Sequence, residues 1–247
     1  MTTQVLSWQT RFAHKLRMQA KHAIVASAIG PPRFLGSVSQ LLQLGDFVRS
    51  SGLRACPRCL NRYQLYELVH EQLLGECPID YLEFGVFTGA SMRKWLSLNQ
   101  KSASRFFGFD RFEGLPEVWD CATSTWQVGH FSTKGNPPDI ADPRVQFIKG
   151  LFQETLPEFV HQFRPQRRLV IHCDADLYTS TLYVLATLDE LMRPGTIIIF
   201  DEFATVNHEF RAFTDYTSSF RRKLLPLAWA GNFYDQVAFI LGESDAS

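Results

Sequence analysis

The stretch Ile79-Asp80-Tyr81-Leu82-Glu83-Phe84-Gly85-Val86-Phe87-Thr88-Gly89 decides the fold. Residues 79–84 form a short β-rich run, and residues 90–98 carry apolar side chains at helical spacing. The segment therefore reads as strand, glycine turn, helix. Gly85 and Gly89 permit a tight turn and the close approach of a ligand to the backbone. The helix that follows aims its free N–H groups at an anionic group, and Ser91 is placed to cap it. The spacing is G-x-x-x-G, not the G-x-G-x-x-G of dinucleotide folds.

Outward from this unit the alternation continues. Strands are expected at 105–109, 145–149, 168–173 and 196–200, and helices at 153–163, 180–192 and 208–220. Such βα alternation specifies a parallel sheet with helices on both faces. Ile197-Ile198-Ile199 has the continuous apolar character of a strand buried on both sides. The C-terminal part departs from this pattern. Runs 224–230 and 236–241 are separated by 231–235 alone, too few residues for a crossover helix, so they form an antiparallel hairpin. The fold class is α/β: a doubly wound, mostly parallel sheet of seven strands with a C-terminal antiparallel hairpin and an N-terminal helical extension. Residues 41–75 read as further helix. Residues 111–143, rich in Gly, Pro, Trp and Phe, are too long for an ordinary connection. They read as an ordered lid built on Phe112, Trp119, Trp126 and Phe131.

Composition narrows the function classes. Lys plus Arg is 25 and Asp plus Glu is 25, a balance that argues against a nucleic-acid-binding protein. Hydrophobic content of 45% argues against disorder, and no run of 18 apolar residues marks a membrane span. Five cysteines give no secreted disulfide framework, so a reducing cytoplasm is expected. Residues 1–45 hold Arg11, Lys15, Arg17, Lys21 and Arg33 and no acid. With Leu6, Phe12, Leu16, Ala20 and Ile24 at helical spacing, they read as a basic amphipathic helix ended by Pro31-Pro32. That helix packs on the domain or on a partner subunit, which suggests a homodimer, or else attaches to an anionic surface. The expected division is 1–62 as helical extension and 63–247 as main domain. The apolar residues 23–29 are too few and lie too late for a signal peptide. Cys56-Pro57-Arg58-Cys59 lacks a second ligand pair at zinc spacing and reads as a helical pair of half-buried thiols.

The carboxylates carry the chemistry. Asp110 ends the second strand, 25 residues after Gly85, where nucleotide-type α/β folds place an acid on ribose hydroxyls. Asp174 and Asp176 follow the fourth strand; Asp201 and Glu202 follow the fifth, one βα unit later. Neighbouring strand ends bring Asp174, Asp201 and Glu202 together, and such crowding calls for a positive partner. A divalent ion such as Mg²⁺, with oxygen ligands, fits. Asp176 is placed to cap the next helix. His208 lies beyond the acidic pair on the ligand-binding side, either as a proton acceptor or as an ordinary first-turn residue. His172, on a buried strand, reads as structural, and His130 lies in the lid.

Five motifs in order now resemble a known family: Glu83 to Gly89; Phe107 to Pro116; Lys149-Gly150 with Thr155-Leu156-Pro157; Asp174 to Thr181; and Pro194 to Glu202. Together, from about residue 63 onward, they resemble the macrocin O-methyltransferase (TylF) type of class I S-adenosylmethionine-dependent methyltransferases. The resemblance implies transfer of a methyl group to a hydroxyl of a small-molecule or sugar-containing acceptor, as in natural-product modification. It implies a cofactor site at Glu83, Gly85, Phe87, Thr88, Gly89, Ser91, Asp110, Gly150 and Asp174, with Gly150 near adenine. It implies Mg²⁺ on Asp174, Asp201 and Glu202, although antibiotic-sugar members carry two consecutive Asp where this chain has Asp201-Glu202. Asp174 or His208 would take the acceptor's proton. Two other readings compete: a nicotinamide-dependent oxidoreductase, which does not explain the hairpin or the acid pair, and a non-catalytic relative acting through its N-terminal arm.

Overall fold

The computed structural model describes residues 33–121 and 124–243, with positions 13, 16, 17, 19 and 21 before them. The basic segment 6–24 lies outside the described residues apart from those five helical positions, and Pro31-Pro32 lies outside them too. The chain forms two compact units, Met1–Ser39 and Gln40–Ser247. The candidate site lies wholly in the second.

The helices are α1 (Arg33–Ser50), α2 (Arg62–Val69), α3 (Ala90–Leu98), α4 (Phe152–Gln162), α5 (Tyr178–Leu188) and α6 (Glu209–Ser219). The strands are β1 (Arg58–Cys59), β2 (Ile79–Phe84), β3 (Arg105–Asp110), β4 (Trp119–Asp120), β5 (Thr125–Trp126), β6 (Val145–Lys149), β7 (Arg168–Cys173), β8 (Ile197–Phe200), β9 (Leu224–Ala230) and β10 (Gln236–Leu241). The main sheet runs β1-β9-β10-β8-β7-β2-β3-β6. Strands β6, β3, β2, β7 and β8 are parallel, and β10 is antiparallel to both β8 and β9. The seven expected strands and the closing hairpin are all present. An eighth, the two-residue β1, pairs parallel with β9.

Strand order reverses at β2, and in open parallel sheets ligands bind beyond the strand ends at such a point. Register sets what meets there. Phe84 pairs with Phe109 and Cys173, and Cys173 pairs with Phe200. The residues that follow therefore emerge at one level: Gly85, Asp110, Asp174 and Asp201. At the opposite end of β2, Asp80 is buried and grips Arg105 through two 2.8 Å contacts, while it accepts from the backbone N–H groups of Gln166 and Arg167. This pins the starts of three strands.

Both faces of the sheet are buried. On one, Leu156, Leu185, Phe210 and Phe213 from α4, α5 and α6 pack with Leu44 and Val48 of α1. On the other, Leu65, Tyr66, Met92 and Trp95 from α2 and α3 cover β2, β7 and β8. A cluster of phenylalanines fills the first face beside the hairpin. Phe203 lies 5.2 Å from Phe213, 5.2 Å from Phe239 and 5.6 Å from Phe200 and Phe210, with Phe47 at 6.0 Å.

The expectation of continued helix over 41–75 needs correction. Gly52 adopts a left-handed conformation (φ +82°) after α1, a single 3₁₀ turn follows at Leu53–Ala55, and the chain then extends into β1. Asn61 restarts the helix by accepting from the N–H groups of Tyr63 and Gln64. Cys56 and Cys59 are thus not a helical pair. Cys56 Sγ lies 3.4 Å from the Pro226 carbonyl, Cys59 is buried in β1, and all five cysteines are free. The lid is ordered in its described part. Trp119 pairs with Trp126 in a short β4–β5 hairpin, and Leu115 and Trp119 pack on Leu177. Among the described residues, no helix is long and apolar enough to cross a membrane.

Phe203 is fully buried, whereas Phe233 is 55% exposed. Phe203→Ala is expected to lower unfolding free energy by about 3–5 kcal/mol in urea titrations. Phe233→Ala is expected to change it by no more than about 0.5 kcal/mol.

Candidate active site

Asp110 organises the glycine turn. Its Oδ2 accepts from the N–H groups of Val86 (2.8 Å) and Phe87 (2.9 Å), and its Oδ1 accepts from Phe112 N–H (2.7 Å). A carboxylate has about four acceptor sites, so a ligand hydroxyl still finds room. Gly85 (φ +92°) serves a closer neighbour than a ligand: a Cβ there would lie 1.7 Å from the Asp174 carbonyl oxygen. Gly89 (φ +76°) is the N-cap of α3, and its missing Cβ makes room for Pro138 of the lid. Ser91 does not cap that helix. It is buried, with Oγ 3.3 Å from the Tyr66 hydroxyl. Thr88 gives its carbonyl to Arg93, and Gly150 N–H donates to the Asp110 carbonyl. Phe87, at φ +49° and 41% exposed, turns its ring against Phe131 of the lid at 5.6 Å.

The acids of β7 and β8 do converge. Among the described residues, one group offers metal-ligand atoms within 4.8 Å of one another: His172, Asp174 and Asp201. The third ligand expected from the sequence, Glu202, stands beside this group rather than in it. A cation already faces the pair. Arg62, at the start of α2, places Nη2 2.7 Å from Asp201 Oδ2 and Nη1 3.6 Å from Asp174 Oδ2. One guanidinium does not offset the crowd. Burial first, and the Asp201 charge second, push the Asp174 carboxyl up to about 7. Burial pushes Asp201 to about 6 against the pull of Arg62. Burial and the neighbouring acids push Asp176 and Glu202 each to about 8. The Asp174 side chain stays 24% exposed and Asp201 only 1%, so Asp174 is the acid a ligand can reach.

Asp176 does not cap α5. Leu177 holds the N-cap position with no side-chain bond, and Asp176 sits at φ +61°, a strained conformation for a non-glycine residue. His208 has both ring nitrogens engaged by backbone. Nδ1 accepts from Tyr178 N–H at 3.3 Å, and Nε2 lies 2.9 Å from the Asp120 carbonyl. The ring thereby ties α5 to the lid and has no lone pair free for a substrate proton. His130 packs in the lid, tilted against Trp126 (4.3 Å) and edge-on to Phe131 (4.4 Å).

Sequence reasoning missed Arg62, and it missed two tyrosines beneath the site. Tyr66 and Tyr81 are fully buried and flank His172, the first 3.2 Å from Nε2 and the second 2.8 Å from Nδ1. Glu83 is buried beside Tyr81, which donates to its Oε2 at 3.3 Å. Burial, then the Asp174 charge, raise the Glu83 carboxyl well above the usual range. Arg62 and Tyr66 fall in a stretch that reads as helix and Tyr81 in one that reads as strand; nothing local pointed to their partners.

A sheet whose order reverses at β2, with an antiparallel strand inserted beyond β8 and acids at the ends of β3, β7 and β8, defines a class I S-adenosylmethionine-dependent methyltransferase. Nicotinamide dehydrogenases have no such hairpin. Within that class the chain belongs to the macrocin O-methyltransferase (TylF) family, whose model matches residues 60–234. It is 34% identical over 149 residues to the 8-demethyl-8-(2,3-dimethoxy-alpha-L-rhamnosyl)-tetracenomycin-C 4'-O-methyltransferase of Streptomyces olivaceus, an alignment covering 51% of this chain and 54% of that protein. The match thus spans about half the length of this curated relative. In fold it is similar to the calicheamicin methyltransferase CalS11, with 21% identity, 87% of this chain and 95% of that one covered, and a TM-score of 0.58. It is also similar to the O-methyltransferase NovP, with 21% identity, 73% and 78% coverage and a TM-score of 0.53.

Between pH 7 and 8.5 ordinary carboxylates are already ionised, whereas Asp174, Asp176 and Glu202 shed protons near 7, 8 and 8. The folded chain then holds more protons than the unfolded one, so stability falls as pH rises. The melting temperature is expected to drop across this window. Glu202→Gln is expected to flatten the drop, melting higher than wild type at pH 8.5 and close to it at pH 7. A wild-type melting point that rises over the window would contradict the arrangement.

Proposed function

We propose that the chain transfers the methyl group of S-adenosylmethionine to a hydroxyl of a small-molecule acceptor, and that this acceptor carries a sugar. The observation that carries the reading is Asp174: reachable from outside, set at the switch point of the sheet, and balanced near neutrality. The sulfonium makes the methyl group electrophilic, and the protein must hold an acceptor oxygen in line with it. Asp110 and the Gly85–Gly89 turn bind the ribose and methionine portions, with Glu83 below. Asp174 then takes the hydroxyl proton as the bond to carbon forms. A general base works best with a pKa near the working pH, and Asp174 meets that condition. His208 holds the lid in place instead of moving a proton.

The donor set also fits a hard divalent cation. Carboxylate oxygens converge there, and buried Asp201 Oδ2 meets Arg62 without accepting an aligned hydrogen bond. Asp174 and Asp201 would hold the ion, with Glu202 adjacent. When bound, Mg²⁺ would lower the pKa of the acceptor hydroxyl. Arg62 supplies part of the same charge from within the chain.

The lid supports a glycosylated acceptor. Phe87, Trp126, His130 and Phe131 form a ring cluster at its edge, a surface suited to the apolar faces of sugars. The Streptomyces olivaceus relative is named as the 4'-O-methyltransferase of a tetracenomycin that carries a rhamnosyl group. The free cysteines support a cytoplasmic setting, and the basic N-terminal segment supports a homodimer, measurable by light scattering.

Calorimetry is expected to show S-adenosylmethionine and S-adenosylhomocysteine binding at micromolar strength, lost in Asp110→Ala. No binding by the folded wild type would sink the proposal. Asp174→Asn is expected to lower kcat by about 10²–10⁴-fold, the usual worth of a general base. Its S-adenosylhomocysteine affinity should fall by a smaller factor than kcat does, separating proton transfer from binding.

A further inference from the structure

The two oxygens of Asp201 face different neighbours. Oδ1 is turned inward, 3.5 Å from the Tyr66 hydroxyl and 3.8 Å from His172 Nε2. Oδ2 meets the Arg62 guanidinium, with Nη2 at 2.7 Å. Asp174 meets the same guanidinium through its own Oδ2, with Nη1 at 3.6 Å. His172 is fully buried, and its ring nitrogens lie against Tyr66 (3.2 Å) and Tyr81 (2.8 Å). The donors that an incoming cation would meet are therefore the two carboxylates, and one arginine spans them.

A guanidinium and a divalent ion need the same oxygens. Arginine carries five N–H donors and no acceptor, so it can stand in for a metal on a carboxylate but cannot ligate one. Mg²⁺ draws its oxygen ligands to about 2.0–2.1 Å in near-octahedral order and tolerates little else. Two cations on one desolvated carboxylate also repel strongly. Arginine stays charged at every working pH, so deprotonation cannot clear the position. Movement can. Arg62 is the first residue of α2, its side chain is 35% exposed, and Leu60 and Tyr63 beside it are exposed. Asp201 Oδ2 accepts no aligned hydrogen bond from it, so the pairing is one of charge and is exchangeable for another cation. The flexible stem can carry the head group into water while Asn61 keeps the helix start in place.

We infer that Arg62 is the resident cation of this site, and that a divalent ion binds Asp174 and Asp201 only by displacing it. Arg62 is thus a positioning residue: it holds both carboxylates together and sets how tightly any ion is taken up. This rests on the reading of these acids as the cation-suited acceptor end of a methyltransferase site.

The test reads Mn²⁺ binding directly, from loss of the free ion's paramagnetic resonance signal, and melting temperature in chelator against millimolar Mg²⁺. Wild type is expected to bind Mn²⁺ only in the millimolar range and to melt at the same temperature in both conditions. Arg62→Gln is expected to bind Mn²⁺ at least about tenfold more tightly, to melt lower in chelator, and to regain the loss with Mg²⁺. Adding Asp174→Asn to that variant should abolish the gain. Arg62→Lys keeps the charge but offers one ammonium in place of a fork, and should bind Mn²⁺ with an affinity between the two. Where Arg62→Gln fails to fold, wild type against Arg62→Lys decides the matter. Equal Mn²⁺ affinity in wild type and the variants would overturn the displacement and leave the acids as an ion site. No binding by any of them would overturn it together with the ion reading. S-adenosylhomocysteine calorimetry on wild type tests methyl transfer separately, whichever way the ion results fall.

Discussion

Asp174 and Asp201 leave the sheet at the same level because Cys173 and Phe200 are register partners, and the Arg62 guanidinium lies against both. This shared cation is the constraint on which the site depends. Two desolvated carboxylates side by side are unfavourable unless positive charge is near, and breaking such a pair costs far more than its net worth. Arg62 is itself held by the helix that Asn61 caps, and that helix is set by β1 lying on β9. The electrostatics of the strand ends therefore reach back to a turn more than a hundred residues earlier. What Arg62 leaves uncompensated shows in the raised carboxyls of Asp174, Asp176 and Glu202.

Asp110 performs a second structural task of the same kind. Its three backbone N–H partners close the turn after β2 onto the start of the lid at Phe112. The glycines of that turn are spaces for neighbouring backbone and lid atoms, with Asp174 against Gly85 and Pro138 against Gly89. Pocket shape is thus fixed by chain-to-chain packing before any ligand arrives. His208 extends this to the lid by joining Tyr178 to Asp120.

The strand positions were legible because apolar runs of five to seven residues between turn signals leave few alternatives. Ile197-Ile198-Ile199 and the short 231–235 connection together specified a parallel sheet with a reversed end. The acids were legible because strand ends carry ligands in such sheets. Arg62 was not, because its partners lie 112 and 139 positions away and a single arginine at a helix start has no local signature. Strand β1 was hidden for the same reason, being two residues paired with Trp229 and Ala230. Ser91 and Asp176 followed local capping rules in sequence, but Ser91 meets the Tyr66 hydroxyl instead, and Asp176 takes a positive φ that leaves the N-cap position to Leu177. Positive φ at Phe87 and Asp176 has no mark in composition at all.

Strand β9 would be the open margin of the sheet were it not for β1, and Phe47 reaches the phenylalanine cluster from a helix earlier still. The stretch recognisable by family, 60–234, begins after both and ends before β10. Heredity and folding therefore draw different borders in this protein. A fragment cut to the recognisable stretch would bare a strand edge, lose β10 from between β9 and β8, and leave a gap among aromatic rings. Anyone grafting, shuffling or trimming this module has to carry along residues outside the family match, from about 40 onward, because they complete the object that folds.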